Sequence, residues 1–180
     1  MAEQFLTLMA DLDDGSQRIM TKWYEQLQAA GFTGTQTPGL PYHISLASFP
    51  LEKETEAIQI TKQLAIELAP AEVHISHIGL FSGGKVLFGA PDMNPPELIQ
   101  YHEAVKAKIG EDFFWTPHVT LLIDEPETIC KAIPVLLESF TPLCGKITGL
   151  HLCAFWPTRE ILSVSLTERI ASEEKKTIKS

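Results

Sequence analysis

An α+β fold made of two related halves, a duplicated two-lobed unit with strands inside and helices outside, is the fold class that this chain predicts. Three observations lead to it. Strand-like and helix-like segments alternate along the whole sequence, each half contains one histidine-bearing strand followed by a helix, and the two histidine strands have similar flanks. At 180 residues, with 44% hydrophobic and 21% charged residues, the chain suits one domain with a sizeable core over 1–180.

The elements follow in order. Phe5 to Asp11 reads as a strand, and Asp14 to Ala30 as a helix with Ile19, Trp23 and Leu27 on one face and Gly31 at its end. The segment from Gly31 to Pro41 has three glycines and two prolines and must be a loop. His43 opens a short strand, and Leu51 to Leu68 has helical spacing through Ile58, Ile60, Leu64 and Leu68. Val73 to Phe81 and Lys85 to Gly89 form a hairpin closed by Ser82-Gly83-Gly84. That turn lacks P-loop spacing, although a lysine follows it. Pro96 to Ile109 is a helix, Val119 to Ile123 a strand, Glu127 to Phe140 a helix, and long strands follow at about Lys146 to Phe155 and Ile161 to Leu166. The charged tail from about Glu168, with Ser172-Glu173-Glu174-Lys175-Lys176, is expected to fray.

The chemistry-bearing signal is a repeated tetrapeptide: His43-Ile44-Ser45-Leu46 and His118-Val119-Thr120-Leu121. In a strand, residues i and i+2 share a face, so His43 stands beside Ser45 and His118 beside Thr120, while Ile44, Leu46, Val119 and Leu121 turn to the core. Two imidazoles that titrate near neutrality, each with a hydroxyl donor, suit proton transfer around a phosphate. A third match, His74-Ile75-Ser76, is an internal control. The first two copies run into a proline, Pro50 or Pro126, and an acidic helix start, with Ala57-Ile58 and Ala132-Ile133 at the same offset from their histidines. His74 leads instead into a glycine turn and another strand, so that copy is incidental. His102, in a helix beside Glu103, reads as solvated, and His77 and His151, in strands, read as structural or surface residues.

With its two H-x-[S/T]-L motifs in opposite halves, the chain resembles the two-histidine (2H) phosphoesterase superfamily, which includes 2'-5' RNA ligase-like proteins and 2',3'-cyclic phosphodiesterases. The resemblance implies antiparallel sheets lining a central cleft, with the two motif strands facing across it. It implies His43 and His118 as catalytic acid and base and Ser45 and Thr120 as phosphate-binding hydroxyls. Tyr42 and Trp115, each within three positions of a motif histidine, are candidates for stacking on a base. The activity implied is metal-independent hydrolysis of a cyclic or 2'-5' phosphodiester of a nucleotide or RNA end. Relatives typically open 2',3'-cyclic esters to a 2'-phosphate. A non-catalytic nucleotide-binding module and a 2'-5' RNA ligase are the alternatives, and no cofactor is expected.

Charge narrows the substrate. A formal net charge of −9, with Arg18, Arg159 and Arg169 as the only arginines, offers no broad basic groove for an extended nucleic acid. A small nucleotide or a single RNA end fits better. Relatives that act on RNA commonly carry basic residues just after the motif, where this chain has Ala47-Ser48-Phe49 and Leu122-Ile123-Asp124. H-E-x-x-H, G-x-S-x-G and dinucleotide-binding glycine patterns are absent, and Cys130, Cys144 and Cys153 lack zinc-knuckle spacing, so no metal site is expected. No run reaches the roughly 18 apolar residues of a membrane span, and the first residues lack signal-peptide character, which makes a cytoplasmic protein without membrane partners the expectation.

Overall fold

In a computed structural model that describes residues 4–93, 97–110 and 114–168, seven strands and four helices occur among the described residues. They are β1 (Phe5–Leu12), α1 (Asp14–Ala29), β2 (His43–Pro50), a 3₁₀ turn (Leu51–Lys53), α2 (Glu54–Glu67), β3 (Ala71–Leu80), β4 (Val86–Pro91), α3 (Glu97–Ile109), β5 (Val119–Ile123), α4 (Pro126–Leu137), β6 (Leu143–Phe155) and β7 (Arg159–Ser165). The tail beyond Glu168 and the expected helix start at Pro96 lie outside the described residues. No described helix is long and apolar enough to cross a membrane.

All strand pairs are antiparallel and belong to one connected sheet with the path β2-β1-β6-β3-β4-β5, and β7 also pairs with β6. The long strand β6 joins the two wings. Its first residues, Leu143 to Ile147, pair with β3, whereas Ile147 to Phe155 pair with β1 and Gly149 to Ala154 with β7. The motif strands β2 and β5 therefore stand at opposite ends of the path. They nevertheless touch, so the sheet bends back until its ends meet.

Alternation decides which face is which. Leu6, Leu8, Ala10 and Leu12 of β1 join the main core with Met20, Trp23 and Leu27 of α1 and Leu64 of α2. On the opposite face Met9, Cys153 and Phe155 form a small second cluster capped by Leu40 from the loop before β2. In α1 the buried stripe is Ser16, Met20, Trp23 and Leu27. Ile19, assigned to the buried face on sequence, is 38% exposed, because the i, i+4, i+7, i+11 stripe runs through Met20 and leaves Ile19 at its edge.

Asp13 ties α1 to the seam. Its side chain caps the helix by accepting from the Ser16 amide at 3.0 Å and also accepts from the Ser16 hydroxyl and the Lys146 amide, while its own amide donates to the Lys146 carbonyl at 2.8 Å. Burial pushes the Asp13 carboxyl up, yet the donors from Ser16, Lys146 and Gly15 more than offset this and hold it below its ordinary value. Gly145 permits the approach, since a Cβ there would lie 1.9 Å from the Ser16 hydroxyl. Removing the cap with Asp13→Ala is expected to cost about 1–2 kcal/mol, a fall in Tm of about 2–8 °C for a chain of this size. Calorimetry checks this, and an unchanged Tm would show that the cap contributes nothing.

Candidate active site

The two histidines are held in the same way. His43 Nδ1 donates to the carbonyl oxygen of Pro41 at 2.8 Å, and His118 Nδ1 donates to that of Thr116, also at 2.8 Å. In each case the acceptor lies two residues before the histidine. A carbonyl only accepts, so each Nδ1 carries a proton and each neutral ring keeps its lone pair on Nε2. The nearby prolines have a local reason: Pro41 has a fixed φ, and Pro117 restricts Thr116 to extended backbone.

Both motif strands also carry a β-bulge at the same position. Along β1, Leu8 pairs with Ala47 and Met9 with Ser45, which leaves Leu46 over; along β4, Leu87 pairs with Leu122 and Phe88 with Thr120, which leaves Leu121 over. The extra residue is the leucine of each tetrapeptide. As a result Leu46 and Ala47 are both buried, at 1% and 8% exposure, as are Leu121 and Leu122, at 2% and 0%. Strict alternation breaks just after each hydroxyl, and the strand is re-aimed there. Ile44 and Val119 face the core as the alternation requires.

A cavity of about 650 Å³ opens between the strands, lined by His43 and Ser45 from β2, Thr120 from β5, Tyr42, and the loop residues from Thr35 to Pro41. Its wall does not include His118, whose half-buried ring packs edge-on against the pair Phe81 and Phe88, its centroid 4.7 Å from that of Phe81 and 5.4 Å from that of Phe88, with the two phenyl centroids 4.6 Å apart. Gly79 makes room for this pair, because a Cβ there would lie 2.6 Å from the Phe88 ring. Burial pushes the His43 imidazole below its ordinary pKa; the Pro41 carbonyl and Asp11 oppose this, and His118 and His151 add to it. Burial likewise holds His118 down against the Thr116 carbonyl. His118 is thus among the charges that disfavour a proton on His43.

The remaining sequence candidates fall in different places. Tyr42 lines the cavity, and burial, with Tyr24 and Glu25 nearby, raises its phenol to about 12, so it stays neutral. Its backbone is gripped by Gln17 of α1, which accepts from the Tyr42 amide at 2.9 Å and donates to its carbonyl at 2.7 Å. Trp115 does not line the cavity. Its indole N–H donates to the Ser45 carbonyl at 2.8 Å and its ring stacks flat on His102 at 4.5 Å. That makes it a bridge from the segment before β5 to β2 on one side and α3 on the other. His74 sits on β3 opposite Cys144, two strands from β5 and three from β2 along the sheet path. Among the described residues, no three His, Cys, Asp or Glu side chains come together as a metal-ligand set.

Sequence reasoning missed Gln17, Phe81, Phe88, and the group behind His43 made by Asp11 and His151. Strand parity on β1, which puts Asp11 on the face of Thr7 and Met9, was the one signal for Asp11.

Residues 13–155 match a model of the 2'-5' RNA ligase superfamily. No curated protein matches the chain. Among solved structures it is similar to Escherichia coli LigT in its apo form, with 21% identity, a TM-score of 0.60, and coverage of 92% of this chain and 98% of that one. LigT complexed with 3'-AMP gives 22%, 0.61, 92% and 99%, and the protein TT0787 of Thermus thermophilus gives 16%, 0.62, 92% and 99%. At such identities the structural likeness establishes the fold, and the match over 13–155 establishes the family. The chain is a member of the 2'-5' RNA ligase superfamily of two-histidine phosphoesterases.

Proposed function

We propose that the protein is a metal-independent phosphodiesterase that hydrolyses a cyclic or 2'-5' phosphodiester of a nucleotide or RNA end by paired-histidine acid-base catalysis. The observation that carries this reading is the matched pin on His43 and His118, which leaves Nε2 of each ring as the working nitrogen. One neutral imidazole takes a proton from water as the water oxygen attacks phosphorus. The other, protonated, gives its proton to the departing ribose oxygen as the P–O bond breaks. Ser45 and Thr120 donate to the non-bridging oxygens, where negative charge is held in the transition state. Tyr42, on the cavity wall, offers a ring face to the base. The complexes of LigT with phosphate and with 3'-AMP support a ligand of this size.

His43→Ala and His118→Ala are each expected to lower kcat/KM on a 2',3'-cyclic nucleotide by about a hundredfold or more, with the double variant losing much less than the product. Ser45→Ala and Thr120→Val cost less, and His74→Ala leaves the rate unchanged. Product analysis by phosphorus NMR in the presence of EDTA checks these rates; full loss on chelation, restored by one metal, would overturn the mechanism. Binding without turnover in the wild type would instead indicate a nucleotide-binding module.

The pH dependence follows from the site. Both imidazoles are held below their ordinary value of 6.5 by burial, and the free enzyme needs one neutral and one protonated. The bell in kcat/KM is therefore expected to peak on the acid side of about pH 6.5. Bound phosphate favours both imidazolium forms, so the kcat profile shifts upward from it. A rate that climbs steadily to about pH 10 would point to hydroxide attack.

Substrate size is the third test. The cavity lining contains no lysine or arginine among the described residues, and the chain is acidic overall. A site that holds one phosphate has a salt slope near one counterion, so KM should change only a few-fold between about 50 and 200 mM salt. Mononucleotide cyclic esters should match the same end on a long RNA. A strong preference for the long RNA with steep salt dependence would make RNA-end processing the main role.

A further inference from the structure

The two motif histidines have matching pins but different surroundings. His118 packs edge-on against a pair of phenyl rings, Phe81 and Phe88. His43 has a carboxylate as its direct cross-strand partner, since Asp11 of β1 pairs with His43 of β2. Directly opposed residues on one sheet face have Cβ atoms about 4.5–5.5 Å apart, so the Asp11 side chain shares the sheet face of His43. Asp11 Oδ1 is buried and has no hydrogen-bond partner among the described residues. The nearest opposite charge is Nδ1 of His151 on β6, at 3.6 Å.

His151 is itself enclosed, with 6% of its surface exposed, on the β6 strand next to β1. Its Nε2 lies 3.4 Å from Glu160 Oε2 on β7 and 3.4 Å from Cys153 Sγ two residues along β6. Burial, then Glu160 and Asp11, push the Cys153 thiol up to about 11, so it stays neutral. A row of alternating charge thus runs from His43 through Asp11 and His151 to Glu160 at the surface. Contact with Asp11, opposed by burial and helped by Glu160, raises the His151 pKa. His151 therefore remains an imidazolium over the range in which His43, held low, titrates.

We propose that Asp11, braced by His151 and Glu160, is a positioning residue that keeps the proton on His43, so that His43 is the general acid and His118 the general base. The assignment of roles rests on the hydrolytic reading given above; the electrostatic part does not. In the reaction His118 Nε2 accepts the proton of the attacking water. The P–O bond to the ribose breaks, and the leaving oxygen receives the proton of His43 Nε2. The charges facing His43 are Asp11 from β1, His118 from just before β5 and His151 from β6, and Asp11 has the strongest charge effect of the three. Removing Asp11 should therefore lower the His43 pKa even though His151 also loses part of its hold on a proton. Removing His151 should raise it.

The test is an NMR titration of the histidine rings in the full chain, wild type beside Asp11→Asn and His151→Gln, followed by pH profiles of kcat/KM on a 2',3'-cyclic nucleotide. Asp11→Asn should lower the His43 pKa by about half a unit or more, His151→Gln should raise it, and His118 should hold its value in both. In the kinetics only the basic limb should move, down for Asp11→Asn and up for His151→Gln, because that limb belongs to the acid. If His43 does not move, or both variants move it the same way, the electrostatic role is overturned. Movement of the acid limb instead would make His43 the base. The titration needs no substrate, so a protein that binds cyclic esters without turning them over still decides the Asp11 effect while ending the hydrolytic reading. Should Asp11→Asn fail to fold, the direction of the His151→Gln shift decides alone.

Discussion

Closure of the sheet path is the constraint on which the site depends, because β2 and β5 are its two ends and each brings one of the two histidine motifs on which the proposed chemistry rests. The contacts that hold the ends together are few and specific. Trp115 donates to the Ser45 carbonyl at 2.8 Å, the Thr35 amide donates to the Ile123 carbonyl at 2.8 Å, and Gln36 accepts from the Ile123 amide at 3.3 Å. Gly34 sits under this last junction with φ of +64°, where a Cβ would lie 2.8 Å from the Ile123 carbonyl. Each such hydrogen bond contributes only about 1 kcal/mol, so the closure leans on the apolar backs of the same strands, Ile44 and Leu46 against Val119, Leu121 and Leu122 in one core. The loop from Gly31 to Pro41 thus acts twice, as a brace between strand ends and as one wall of the cavity.

Each end repeats one local device. A proline-fixed approach supplies a carbonyl, the carbonyl accepts a hydrogen bond from Nδ1–H, the hydroxyl lies two residues on, and a bulged leucine then turns the strand inward. The first part sets the tautomer, and the last part anchors the backbone that carries it. Identical devices would give identical rings, whereas the proposed hydrolysis needs one proton donor and one acceptor. The difference has to come from the second layer of residues. It is found there: two phenyl rings stand against His118, and a carboxylate paired with a third histidine stands behind His43.

Much of this is legible in the sequence. The strand from Val119 to Ile123 has the bounds that its pattern predicts, and the helix after each motif begins within a few residues of the proline and acids that announce it. Period-two spacing puts His43 and Ser45 on one face, and both line the cavity, as does Thr120, while the His118 ring packs beside it against Phe81 and Phe88. The bulges are invisible there, since Leu46-Ala47 and Leu121-Leu122 look like ordinary apolar continuation. Trp115 reads as a stacking surface because of its place near His118, whereas its commitment to Ser45 and His102 depends on chain segments remote in sequence. His151 reads as a structural or surface residue for the same reason: its partners Asp11 and Glu160 come from other strands, and only pairing across β6 brings them together.

If both imidazoles work through Nε2 on one phosphate, their tautomers and their response to a ligand are fixed in advance. Nitrogen-15 spectra of the histidine rings, recorded with and without a non-hydrolysable 2',3'-cyclic phosphate analogue, read both. His43 and His118 are expected in the Nδ1-protonated tautomer when neutral, and the analogue should raise the pKa of both while leaving His74 and His77 unaffected. An Nε2-protonated tautomer at either motif histidine, or a response to the analogue at only one of them, would contradict the shared-phosphate mechanism.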